Sequence, residues 1–397
     1  MMHQRTSHAA CTIGLGLAVL SLVPCSASAG QPQESSFTIR EQLILGDDED
    51  APEEYLFYYP LYVRTDSHDN IYINDARRAD VRVFDANGQF LTTIGRRGAG
   101  PGEMKEIVSM HVDGDDRLIV VDRNSRRLTI FTDMGKDFSV ENTIDKGFIM
   151  PNPILSLDGT FLLSEVRRFA NPEGGPRLLD DWFLHLHDTE LNRIETFGLL
   201  TDIFDLSSPF LRAHSGSSRA FEVATDGINT IVVAPYVYDG RIYRYVRSPD
   251  RWITEKLKGR DIAAKAFVPI SKEKFDSSDD ARRGTITRSS PTGPQHVRVF
   301  SRSRGIGILS TGQILHFTLR TPPKEDFEPL VELYGQDGNL EAYGRLLFNN
   351  PELNGNARVM ESIALQWMDA ADRLFIARRN PDGFFVLSVA ELEITPL

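Results

Sequence analysis
The chain has 397 residues, 41% of them apolar, and a net charge of −12, with 56 Asp and Glu against 44 Lys and Arg. That acidity excludes non-specific nucleic-acid binding, which needs Lys and Arg in excess to neutralise phosphates. The two cysteines, Cys11 and Cys25, both fall within the first 29 residues, so the remainder offers no disulfide, thiolate zinc site or cysteine nucleophile.

The chain opens with Arg5 and an apolar run, Ala9–Val23, too short for an ordinary membrane span. Pro24 breaks the run, and Ala27-Ser28-Ala29 is the small-x-small pattern cut by a signal peptidase. Residues 1–29 are therefore expected to be a signal peptide and residues 30–397 a single domain, periplasmic or extracellular. Because residues 1–29 carry Arg5 and no acid, cleavage takes the net charge from −12 to −13. Leu22-Val23-Pro24-Cys25 also resembles the box before a bacterial lipoprotein cysteine, but Pro24 stands where a small residue normally sits. Lipid anchoring at Cys25 is the weaker alternative. No later run is apolar enough to span a bilayer, so no transmembrane segment is expected.

Between Leu61 and Phe131 one pattern is written twice. Asp66 and Asp113 are 47 residues apart, as are Asp75 and Asp122, a spacing in the range of propellers and solenoids. In the first copy, strands are predicted at 60–65, 70–75, 80–85 and 89–94, separated by Asp69-Asn70, a polar loop and Asn87-Gly88. Four antiparallel strands make one propeller blade. The second copy runs from about 107 to 145. Weaker copies begin at Ile154, Ala220, Ile306 and Ser362.

The sixth copy has only three strands before Leu397. Residues 36–46 match the outer strand of the first copy and are expected to complete the last blade, closing a ring by hydrogen bonds and removing two sheet edges. The fold expected is all-β: a six-bladed β-propeller of four-stranded antiparallel blades, closed by the N-terminal strand. A seventh blade would have to come from 250–305. Residues 256–304 read as a long insertion, with a short helix in Ser271–Arg283 capped by Ser271 and a loop from Arg283 to Pro294. The insertion is either a surface excursion or a lid over a binding face.

The link Gly95-Arg96-Arg97-Gly98-Ala99-Gly100-Pro101-Gly102-Glu103-Met104 resembles that of NHL-repeat propellers, in particular the secreted bacterial six-bladed proteins with Gly-Pro-Gly-Glu between blades. Asp122, Arg127, Leu128 and Phe131 meet part of the NHL signature, with Ser125 in place of Asn. Asp75, Val81 and Phe84 meet less of it, because Arg78 and Asp80 depart from the pattern. The resemblance covers roughly residues 60–135 and implies a scaffold that hosts binding proteins, lyases and lactonases alike, so it does not settle function.

Loops between second and third strands share one face with the links between blades. That face gathers Arg77 and Arg78 from blade one, Arg123 and Arg126 from blade two, Arg167 and Arg168 from blade three, and Arg378 and Arg379 from blade six, with Arg96 and Arg97 on a link. Planar guanidinium groups bind carboxylate or phosphate in pairs of hydrogen bonds, so these are the candidate ligand-binding residues. Each has a competing use in pairing with Asp75, Asp122, Glu165 or the acidic loop 47–54.

No catalytic residue and no metal ligand is assigned. His185 and His187 share a strand face, expected on a third strand away from the axis; His111 and His316 would have to meet at the channel to share a metal. The acidic loop lacks calcium-loop spacing, and no Gly-x-Ser-x-Gly elbow occurs. Tyr236, Tyr238, Tyr243 and Tyr245 are read as sheet packing rather than a sugar platform. The sequence names no cofactor.

The expected function is that of a monomeric, exported, non-enzymatic binding propeller. Its partner would be an anionic small molecule, a polysaccharide or an envelope protein. The alternative is a metal-dependent propeller lyase or lactonase acting at the central channel.

Overall fold
The computed structural model describes residues 31–48, 50–75, 77–125, 127–141, 154–164, 168–171, 175–178, 182–188, 192–215, 220–260, 267–277, 285–288, 295–321 and 327–397. The expected signal peptide and Cys25 lie outside them. Among the described residues no helix is long and apolar enough to cross a membrane.

Turn chemistry divides the chain. Asp66, Asp113, Asp226 and Asp369 each use a carboxylate oxygen to accept backbone N–H groups two and four residues ahead, and these Asx turns join inner strands to second strands. Between the turns, short β-branched and aromatic runs pair into four-stranded antiparallel sheets. Blade one is Pro60–Thr65, Ile71–Asp75, Val81–Phe84 and Phe90–Ile94. Blade two is Ile107–Val112, Leu118–Asp122, Arg127–Thr132 and Asp137–Glu141.

Blade three is Ile154–Leu157, Thr160–Ser164, Trp182–His187 and Arg193–Leu199. A hairpin, Arg168–Asn171 with Gly175–Leu178, stands where the sequence suggested a simple loop. Blade four is Phe221–Thr225, Thr230–Pro235, Arg241–Ser248 and Arg251–Lys258. Blade five is Ser301–Ile308, Ile314–Arg320, Glu328–Tyr334 and Leu340–Phe348.

Blade six takes Ala364–Met368, Leu374–Arg379 and Phe385–Pro396 from the C-terminus and Gln33–Leu45 from the N-terminus. The closing strand runs antiparallel to the last strand, from Ser35 opposite Pro396 to Leu45 opposite Leu387. Its other edge adds a pairing the sequence did not suggest. Gln33–Ile39 also lies parallel to the outer strand of blade five, Gln33 opposite Ala342 and Ile39 opposite Phe348. Blades five and six thus merge into one eight-stranded sheet.

The core is a ring of junctions. Apolar clusters fill every seam: Tyr72, Val83 and Met110 between blades one and two; Val121 and Phe161 between two and three; Leu184, Phe221 and Tyr245 between three and four. Ile242, Ile306 and Tyr334 fill the seam between four and five, Phe37, Phe317 and Ile376 that between five and six, and Val63, Phe84 and Phe375 that between six and one. Inner strands touch their neighbours all the way round, blade six against blade one. Every blade buries both faces against another, which lets a single ring of this length hold one continuous core.

The described residues of the 256–304 stretch hold more regular structure than expected. Its first residues belong to the outer strand of blade four, and the helix is Lys272–Ser277, with Ser271 Oγ accepting from Lys274 N at 3.2 Å. The loop expected from Arg283 to Pro294 is corrected by a strand, Thr285–Arg288, paired with Gln295–Val299. Phe267–Ile270 completes a three-stranded sheet. Val297 and Val299 of this sheet pack on Phe210 and Val237, which belong to loop-face segments around blades three and four.

Candidate functional site
Along each blade the second strand rises to the face that carries the interblade links, and there the repeat aspartates act. Asp75 accepts from the backbone N–H groups of Tyr58 and Tyr59, and Asp122 from those of Lys105 and Glu106, at 2.8 and 3.0 Å. The 47-residue recurrence therefore marks a clamp that ties the incoming link to the second strand. The Gly-Pro-Gly-Glu link folds about its own carboxylate. Glu103 accepts from Gly100 N at 2.8 Å and Arg96 Nε at 2.8 Å, and a Cβ on Gly98 would meet Glu103 Oε2 at 2.0 Å. Those interactions, the Gly100 amide first and Arg96 next, hold the Glu103 carboxyl below the usual range.

The arginines of this face divide by what they touch. Arg78 bridges Asp80 at 2.9 Å and Glu53 at 2.8 Å. Arg123 pairs with Glu106 at 3.1 Å and Arg96 with Glu103 at 2.8 Å. Arg378 is buried, its Nε and Nη2 on Glu41 Oε1 at 2.9 and 2.6 Å, so it points into the seam with the closing strand and not at a ligand. Arg126, Arg167 and Glu165 lie outside the described residues, as does the side chain of Arg168.

Two of the predicted arginines stack on rings instead. Arg77 sits 3.6 Å over Tyr58, and Arg379 sits 4.2 Å over Phe385. Both belong to the junction of blades six and one, where Tyr59 packs edge-on to Phe385 at 4.9 Å. Tyr58 and Phe384 stand exposed beside them, at 54% and 43%. Arg379 also lines a surface pocket of about 450 Å³ with Arg358, Glu361, Ser362, Asp382 and Gly383. The acidic loop comes to the same edge, with Asn380 Nδ2 donating to Asp47 Oδ1 at 3.1 Å.

A second constellation lies on the axis. The inner-strand residues opposite Tyr72, Ile119, Phe161, Val232, Leu315 and Phe375 are, blade by blade, Arg64, His111, Ser156, Ala224, Gly307 and Trp367. They form one layer across the channel. Arg64 lies 4.4 Å over the Trp367 ring, and Trp367 Nε1 donates to Thr65 Oγ1 at 3.2 Å. His111 Nε2 and Ser156 Oγ are 2.6 Å apart. Arg64 is 4% exposed; Nη1 donates to Val63 O at 2.6 Å, while Nε has no partner among the described residues. Burial lowers its pKa to about 10. Burial first, and then the charge of Arg64, lowers that of His111 to about 3, so the imidazole is neutral at ordinary pH.

His316 does not join His111 at the axis. It sits on the second strand of blade five within a buried network: Ser303 Oγ is 2.9 Å from Nε2, and Glu332 Oε2 is 3.2 Å from Nδ1. Tyr238 and Tyr334 also donate to Glu332. The order Ser-His-Glu is that of a hydrolase triad, but all three side chains are buried and Ser303 Oγ donates to Pro235 O at 2.7 Å. It holds the seam between blades four and five and presents no nucleophile. Tyr238, Tyr243 and Tyr245 are buried in seams, and burial raises all three phenols, Tyr243 to about 12. Among the described residues, no three His, Cys, Asp or Glu side chains gather as a metal ion would require.

Sequence reasoning missed the axial layer and the Ser303 network. The signal for the first was present, since Arg64 and His111 also lie 47 residues apart, each two residues before a turn aspartate.

A family model described as a 6-bladed beta-propeller matches residues 52–191, which span blades one and two and the first three strands of blade three. No curated protein matches the chain in sequence. Among solved structures, a member of the duf4221 family from Bacteroides vulgatus is similar with a TM-score of 0.57 and 12% identity, covering 92% of this chain and all of its own. A Bacteroides fragilis protein described as a candidate exported protein has a TM-score of 0.50 and 12% identity, over 90% of this chain and 95% of that one. A streptogramin B lyase superposes more loosely, with a TM-score of 0.45 and 9% identity over 90% and 98% of the two chains. The first two likenesses, with the family model, establish the fold.

Proposed function
We propose that the chain is an exported, non-enzymatic propeller that binds an anionic ligand on its loop face, at the junction of blades six and one. One observation carries the reading. Carboxylates occupy Arg78, Arg123 and Arg378, whereas Arg77 and Arg379 are held on aromatic rings and Arg379 opens with Arg358 onto the 450 Å³ pocket. A guanidinium fixed on a ring loses less entropy on binding; Arg379 Nη1 donates to Gly383 O, which leaves its remaining in-plane donors for a ligand. Tyr58 and Phe384 add ring surface of the kind that stacks on sugars, so a polysaccharide bearing carboxylates suits the site.

The channel supports a binder over a metal-dependent lyase or lactonase. A layer headed by a buried guanidinium would repel a divalent cation, and His111 is already engaged with Ser156.

The test is calorimetric titration with a galacturonate hexamer. Wild-type protein is expected to bind it, and Arg358→Ala with Arg379→Ala to weaken binding at least about tenfold, the scale of one lost charge-assisted pair, with an unchanged melting temperature. Equal affinity in the double variant, or no binding to wild type, removes this pocket from consideration.

A further inference from the structure
The axial layer is a different site from the loop-face pocket, and we propose that it seats a small oxyanion on the Nε–Nη2 edge of Arg64. Six blades contribute one residue each at the same height: Arg64, His111, Ser156, Ala224, Gly307 and Trp367. On one side, Arg64 lies 4.4 Å over the Trp367 ring, and His111 is near enough to feel its charge. On the other side, Ala224 contributes only a methyl group and Gly307 no side chain, with Met368 packed 2.6 Å from where a Cβ on Gly307 would stand.

The charge arrangement is unusual for a structural arginine. The other buried arginines of this ring have acids: Arg82 meets Asp75 at 3.3 Å, and Arg378 meets Glu41 at 2.6 Å. Arg64, equally buried, has no carboxylate among the described residues. Its hydrogen bonding goes through Nη1 to its neighbour's carbonyl. That bond leaves the side-on edge, Nε with Nη2, directed away from Val63, and this is the edge that takes the two oxygens of a carboxylate or phosphate. A buried cation without an acid is stabilised when an anion from solution takes the acid's place. The aromatic floor fixes the plane of the fork, and Trp367 Nε1 is held by Thr65 Oγ1 at 3.2 Å, so the floor is fixed too.

Carboxylate and phosphate share this chemistry, and two probes separate them. Wild-type protein in low-salt HEPES is titrated in parallel with acetate and with inorganic phosphate, following melting temperature and tryptophan fluorescence. We expect a saturating rise in melting temperature with at least one anion, accompanied by a fluorescence change. Trp367→Phe should lose the fluorescence change and identify Trp367 as its source, with Trp182 and Trp252 silent. Arg64→Met should lose the anion response while melting no lower than wild type without anion, since it strands no partner acid. A response to acetate alone assigns a carboxylate ligand, and one to phosphate alone a phosphoryl group.

The proposal is overturned if neither anion acts on wild type, if Arg64→Met responds equally, or if Arg64→Met melts lower than wild type without anion. Should Arg64→Met fail to fold, Arg64→Lys decides. Folded protein with binding weakened at least tenfold supports the fork, whereas unchanged binding or failure to fold assigns Arg64 a purely structural role. None of these outcomes depends on Arg358 or Arg379, so the two sites stand or fall separately.

Discussion

Removing the carboxylate of Glu41 should weaken the ring more than any surface ion pair would. Glu41 lies on the closing strand, and its Oε1 accepts Arg378 Nε at 2.9 Å, Arg378 Nη2 at 2.6 Å and the Ser388 hydroxyl. The two charged side chains are 8% and 2% exposed. In Glu41→Leu the guanidinium stays buried with Arg379 O at 3.2 Å and the Phe348 ring at 5.4 Å as its remaining company. Stranding one buried charge in this way costs about 3–5 kcal/mol, against a total of roughly 5–15 kcal/mol for a folded domain. Arg378→Met should cost less, about 1–3 kcal/mol, because the abandoned carboxyl can take up a proton. The double variant should return to within about 1 kcal/mol of wild type, since both desolvation penalties vanish together. Urea unfolding followed by circular dichroism gives all four corners of the cycle. A non-additivity of about 3 kcal/mol or more is expected; additive losses, or a loss below about 1 kcal/mol in Glu41→Leu, would refute the claim that this pair seals the seam.

Gly344→Ala should separate the closing strand from blade five, because a Cβ there would meet Ser35 O at 1.7 Å. A loss of about 1–3 kcal/mol with faster proteolysis at residues 33–45 is the expected result. Asp75→Ala should cost more than Asp122→Ala, roughly 3–5 against 1–3 kcal/mol. Both clamp a link, but only Asp75 also meets a buried arginine, Arg82 at 3.3 Å; equal losses in urea midpoint would contradict this. Acid should act through His111. Its folded pKa of about 3 lies below the unfolded value of 6.5, so the unfolded chain takes the proton first. Stability is complete above 6.5 and lost as pH falls from there towards 3, about 2 kcal/mol of it by pH 5. His111→Gln should lack that increment, and identical pH slopes for the two proteins would rule it out.

Blade one was legible to within a residue at each strand because Asp69-Asn70 and Asn87-Gly88 punctuate an alternating pattern, and such turns restrict register. The closing strand was legible for the same reason, as a displaced copy of an outer strand. Its parallel bond to blade five was not, since main-chain pairing leaves little side-chain signature beyond Gly344. Thr285–Arg288 was missed because a four-residue strand with one apolar residue, Ile286, shows no period. On the binding face, sequence spacing placed the arginines on the right loops but not their partners. Whether Arg378 meets solvent or Glu41 depends on a residue 337 positions away. The axial layer was hidden differently. Blade three shortens the turn to Asp158-Gly159 and blade five has Leu309 where others have Asp, so the six equivalent positions align only once strand register is known.

The parallel and antiparallel bonds of Gln33–Leu45 also impose a timetable. Their partners, Leu340–Phe348 and Phe385–Pro396, leave the ribosome long afterwards, the last of them some 340 residues later. At about 5–20 residues per second that is an interval of roughly 17–70 s. Throughout it Phe37, Ile39 and Leu45, all buried in the finished molecule, have no seam to enter. A nascent chain of this design carries a sticky leading segment until its final residues appear, and a holding chaperone would find its natural target there.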